Sequence, residues 1–89
     1  MIEKIFSISE VSELLGVPPH VLGYWETEFT ELSPEKDGAG RRIYCERDME
    51  IAARIKEMLY DERLTIAETI KRLTGEYQMR DDPRLNRDR

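Results

Sequence analysis

Cysteine occurs once in the 89 residues, at Cys45, so no disulfide can form within the chain and the composition fits a reducing compartment. Histidine also occurs once, at His20, too far along the chain from Cys45 to suggest a zinc-ligand spacing. Cys45, at the expected start of a helix, is read as a structural residue, and no metal or cofactor is expected. Apolar runs are short, none near the roughly 20 residues of a membrane-spanning helix. The first residues lack the basic and then apolar pattern of a secretion signal, so we expect a cytoplasmic protein with no membrane partner. Basic charge is scarce early in the chain. Residues 1–35 hold one Lys against seven Glu, residues 36–89 hold thirteen basic and twelve acidic groups, and the net charge is -5. A nucleic-acid binder ordinarily carries a basic stripe that neutralises phosphates, so such a reading has to rest on local geometry. There is no Ser/His/Asp set, glycine-rich phosphate loop or carboxylate pair on an apolar cleft, which argues against an enzyme.

What is present is organised around Gly16-Val17-Pro18-Pro19-His20-Val21-Leu22-Gly23-Tyr24-Trp25-Glu26. Val17, Val21, Leu22 and Trp25 form one apolar stripe at helical spacing and face a core. The opposite side carries His20, Gly23, Tyr24 and Thr27, groups suited to contact rather than packing. Before this stretch, Ser7-Ile8-Ser9-Glu10 is a capping box with Phe6 and Val11 at the staple positions. A short helix follows, with Ile8, Val11, Leu14 and Leu15 as its apolar face and Gly16 as its left-handed stop. Pro19 stands at or near the first position of the second helix, where a missing N–H costs little. This helix is expected to end near Glu28. Two short helices joined by a tight turn match the helix-turn-helix of major-groove readers. The same pair also occurs as plain packing in small helical domains, and spacing leaves both readings open.

Leu32-Ser33-Pro34-Glu35-Lys36 and Arg41-Arg42-Ile43-Tyr44 flank Asp37-Gly38-Ala39-Gly40 and read as two strands around a glycine-rich turn, either a wing or a solvated hairpin. Successive arginines on a strand point to opposite sides, so one of the two would face a partner directly. A third helix is expected from Glu46 to about Asp61, with Met49, Ile51, Ala52, Ile55, Met58 and Leu59 inward. Thr65-Ile66-Ala67-Glu68 is a second capping box, opening a fourth helix with Ile66, Ile70 and Leu73 inward and Gly75 at its end. Residues 1–75 thus form one domain, and residues 76–89, polar and containing Pro83, are expected to be a disordered tail.

In this order the capped short helix, the Gly16-Val17 turn, Leu22-x-Tyr24-Trp25-Glu26, the Pro34 strand, Gly40-x-Arg42-x-Tyr44, Asp48 in a long helix and Thr65-Ile66-x-Glu68 resemble the amino-terminal DNA-binding domain of the MerR-type transcription regulators. The resemblance covers residues 6–73. It implies a mainly α, winged helix-turn-helix fold of about four helices and a small two-stranded wing. It also implies sequence-specific binding of double-stranded DNA in transcription regulation, with the second helix in the major groove and the wing on the backbone. A homodimer would distort a promoter so that RNA polymerase can use it. Carried onto this chain, His20 and Tyr24 would face the groove, Lys36, Arg41 and Arg42 would be wing contacts, and Arg47 would be a further DNA-binding candidate. Gly23 stands where the family usually has arginine, and Arg63 where it tends to have glycine. Family members continue into a dimerisation helix and an effector-binding domain. Residues 76–89 show no heptads, so dimerisation would use a region outside this chain. The alternative is a protein-interaction module on the same fold, to which Gly23 and the acidic first 35 residues point.

Overall fold

The computed structural model describes residues 4–81. Its elements run β1 (Ile5–Ser7), α1 (Ile8–Leu15), α2 (Pro19–Glu28), β2 (Glu35–Lys36), β3 (Arg42–Cys45), α3 (Glu46–Lys56), a π-helical turn (Glu57–Asp61) and α4 (Ile66–Asp81). This is a winged helix-turn-helix of four α-helices on a small antiparallel sheet.

Each helix begins or ends on a local device. The Ser7 N–H donates to Glu10 Oε1 at 2.8 Å and the Glu10 N–H donates to Ser7 Oγ at 3.1 Å, which closes the expected capping box of α1. Gly16 then ends that helix at φ 69°, a conformation an L side chain resists. The Lys56 ammonium donates to the Leu15 carbonyl, so α3 supplies a cation to the negative end of α1. The α4 box also forms, with the Thr65 N–H donating to Glu68 Oε1 and the Glu68 N–H donating to Thr65 Oγ1. These bonds hold the exposed Glu68 carboxyl below its ordinary value.

The core collects Val11 from α1, Val17 from the turn, Leu22 and Trp25 from α2, and Phe29 and Leu32 from the loop beyond. Tyr44, Ile51, Ala52, Ile55, Met58 and Leu73 complete it. Tyr60, on the π-helical turn, meets the Trp25 ring edge-on at 6.3 Å. The inward stripes read from the sequence match this set with one exception. Leu14 is exposed, because Ile8, Val11 and Leu15 already fill the face of the eight-residue α1 that meets the core.

Four boundaries differ from the sequence expectation. The sheet has three strands in the order β1-β3-β2, since Ile5, Phe6 and Ser7 pair with Cys45, Tyr44 and Ile43. A three-residue strand leaves too little alternation to be seen in sequence. The strand expected over residues 32–36 shrinks to Glu35–Lys36, because Leu32 turns inward, donating its N–H to the Phe29 carbonyl. The third helix widens at Glu57, where i→i+5 bonding takes over; the Glu62 N–H, for one, donates to the Glu57 carbonyl. Finally, α4 passes through Gly75 to Asp81, and Gly75 is not left-handed. Arg54 reaches the next residue along, donating to both Glu76 oxygens at 2.7 and 3.1 Å while also bonding Glu57 and Glu62, so this part of α4 is tied to α3. The remainder of the polar tail, residues 82–89, lies outside the described residues.

The turn before α4 carries a specific cost. Arg63 sits at φ 62°, the left-handed conformation that glycine would take without strain. We predict that Arg63→Gly raises stability by about 1 kcal/mol in urea denaturation. A variant no more stable than the parent contradicts that account of the turn.

Candidate nucleic-acid interface

Pro19 opens α2 with no N–H to satisfy, and the Val21 and Leu22 N–H groups both donate to the Pro18 carbonyl, which fixes the angle at which the helix leaves the turn. Burial of Leu22 and Trp25 then sets its rotation. The opposite stripe is left facing solvent: His20 is exposed, Tyr24 is 51% exposed, and Thr27 is exposed with its hydroxyl donating to the Tyr24 carbonyl at 2.6 Å. A Cβ built on Gly23 would meet nothing within 4 Å, so the middle of this ridge is open. The helix contains no Lys or Arg, and its two charged side chains are Glu26 and Glu28.

Glu26 is not part of the solvent ridge. It lies three residues from Gly23 and four from Leu22, at the border between contact face and core. Its carboxylate is used at both oxygens, Oε1 accepting from Arg42 Nε and Oε2 from the Tyr44 hydroxyl at 2.7 Å. Arg42 and Tyr44 alternate on β3 and so share a sheet face. Lys36 lies directly across from Arg42 in the β2–β3 register. Two cations opposed in this way repel, and the Glu26 carboxylate offsets the repulsion. Burial pushes the Tyr44 phenol far above its ordinary value, and its hydrogen bond to the charged Glu26 pushes it further.

At the wing tip, Asp37 organises the turn. Its Oδ1 accepts from the Ala39 and Arg41 N–H groups at 2.9 Å each, its Oδ2 accepts from Arg41 Nε at 3.1 Å, and Gly40 takes φ 81°. The backbone bond from Arg41 is the main cause holding the Asp37 carboxyl below its ordinary value. Arg41 nevertheless remains 78% exposed in its side chain.

The sequence-derived candidates thus divide. His20 and Tyr24 share the α2 ridge, Arg42 is tied to that helix, Lys36 faces Arg42 across the sheet, and Arg41 stands at the wing tip. Arg47 lies apart, near the start of α3. It lines a concavity of about 450 Å³ with Ile5, Ile43 and Cys45, side chains of the other sheet face. In that concavity the Cys45 thiol donates to Asp48 Oδ2 at 3.2 Å and burial holds it above its ordinary value, as suits a structural thiol. Sequence reasoning missed Glu26, to which it assigned no role of its own. Its place between Leu22 and Gly23, together with the Arg42-x-Tyr44 alternation, was the available signal.

A short helix pair whose second helix leaves an exposed ridge, with a two-stranded wing beside it, defines a winged helix-turn-helix. The chain belongs to the MerR helix-turn-helix family of regulatory proteins, whose family model matches residues 6–76. It is similar to the HTH-type transcriptional repressor CarH of Myxococcus xanthus, 34% identical over 73 residues, a match covering 82% of this chain and 24% of the relative. The chain therefore spans about a quarter of that relative's length. No solved structure matches the chain significantly. Among the described residues no helix is long and apolar enough to cross a membrane.

Burial of the Tyr44 phenol, reinforced by its bond to Glu26, sets a pH dependence. Below the ordinary phenol value of 10.0 the tyrosine is protonated whether the chain is folded or not. Above it the unfolded chain loses the proton while the folded chain keeps it, so stability falls as pH rises. In thermal denaturation across that range, wild type is predicted to lose stability faster than Tyr44→Phe. Parallel losses contradict the assignment.

Proposed function

We propose that the chain reads duplex DNA with α2 in the major groove, His20 and Tyr24 facing base edges and backbone, while Lys36, Arg41 and Arg42 take phosphates along the wing. The observation that carries this reading is the exposed, apolar-to-polar ridge of α2 beside a cation tied to the same helix. Arginine offers a planar fork matched to phosphate oxygens, and tyrosine offers a hydroxyl on a rigid ring. With net charge -5 and so few cations at the site, one domain binds weakly. A homodimer formed through segments outside this chain would pair two half-sites and supply the missing affinity. The regulated step would be access of RNA polymerase to a promoter.

Salt dependence tests this most simply. Neutralising three or four phosphates per domain gives a slope of log K on log salt of roughly -3 to -4. Gly23→Arg, which enters open space, is expected to tighten binding about three- to tenfold at low salt. Arg41→Ala is expected to weaken binding by a similar factor on any sequence. A flat salt response and indifference to both substitutions favour instead a protein-interaction module on this fold.

A further inference from the structure

We propose that Glu26 is a positioning residue that brings the wing's Arg42 to the recognition helix, where it serves as the cation that α2 itself does not contain. The inference rests on the DNA-reading function proposed above. Three observations lead to it. First, α2 has no Lys or Arg, so its own side chains offer a phosphate no cationic partner. Second, Glu26 holds Arg42 by Nε, the inner edge of the guanidinium, and among the described residues no other hydrogen bond or ion pair engages Arg42. The two terminal Nη groups are thereby left for a second acceptor. Third, the pair is polarised: the Glu26 side chain is 12% exposed and the Arg42 side chain 41%, so an approaching anion meets the guanidinium before the carboxylate. Gly23, one helical turn before Glu26, has nothing within 4 Å of where a Cβ would stand and leaves that approach unobstructed.

A carboxylate on a DNA-facing helix normally opposes phosphate. Here its charge is compensated by Arg42, and its second oxygen is fixed by the Tyr44 hydroxyl, so the acceptor cannot swing toward solvent. Guanidinium geometry is essential to this arrangement, because one edge binds inward while the other remains available outward. Lysine has a single ammonium and cannot bridge two acceptors along opposed edges.

The test measures duplex binding at low salt by the intact chain and five variants, one of them a double variant, with thermal stability recorded for each. If wild type binds, Glu26→Ala is expected to bind about five- to tenfold more weakly although it removes a negative charge. Its effect should vanish in an Arg42→Ala background. Glu26→Gln, which keeps an acceptor for Nε, should retain most of the affinity. Arg42→Lys should melt close to wild type yet lose nearly as much affinity as Arg42→Ala. Should Glu26→Ala fail to fold, the Glu26→Gln and Arg42→Lys pair decides. Wild-type binding with Glu26→Ala equal or tighter, or with Arg42→Lys unimpaired, overturns this proposal alone. Absence of salt-dependent binding by wild type overturns the DNA reading and this proposal with it.

Discussion

The Glu26 carboxylate joins the second helix to the wing, two elements that are otherwise set by separate local rules. The helix takes its rotation from Leu22 and Trp25, buried in the core. The wing takes its shape from the Asp37 turn and the β2–β3 register. Beyond the shared core and the β1–β3 pairing, neither rule fixes one element against the other. Glu26 does so by accepting from Arg42 and Tyr44 on the same strand face, and Tyr44 is itself fully buried, which anchors the bond at the core. An exposed ion pair of this kind would be worth little. Here the carboxylate is largely shielded and hydrogen-bonded at both oxygens, so breaking it would strand a charge beside the core.

The remaining elements hold this junction in place. The α1 capping box and the left-handed Gly16 set the turn into α2, and Lys56 ties the end of α1 to α3. Tyr60 rests edge-on against Trp25, and Arg54 links α3 to α4 through Glu76. Thr74 donates to Glu31 at 3.1 Å, so α4 also braces the loop that leads from α2 toward the wing. The ridge of His20, Tyr24 and Thr27 therefore stands on a scaffold fixed from several sides, which suits a surface with the binding role proposed for it.

Much of this could be read from residues alone, because the devices are local. Ser7 with Glu10, Thr65 with Glu68, Gly16 and Pro19 each declare a helix boundary through chemistry within one turn, and the stripe through Leu22 and Trp25 declares an inward face. What stayed hidden depends on distance in sequence. The three residues of β1 are a strand only because β3 lies beside them, nearly forty positions later. Gly75 looks like a stop until Arg54 reaches Glu76 from α3. Glu26 looks like a surface charge until Arg42 and Tyr44 fold against it, 16 and 18 residues on. Arg47 shows the converse: near Arg42 in sequence, it lies toward the opposite face of the sheet.

The central claim, that this junction presents Arg42 and the α2 ridge together to a phosphate backbone, is tested most directly by nuclear magnetic resonance of the chain titrated with duplex DNA. The side-chain Nε–H signal of Arg42 should already be shifted and protected in the free protein. On adding DNA it should move together with the backbone amides around Tyr24 and Lys36, while those of α4 stay put. An Arg42 signal that is averaged with solvent in the free protein, or DNA-induced shifts gathered on α1 and α4, would contradict the account.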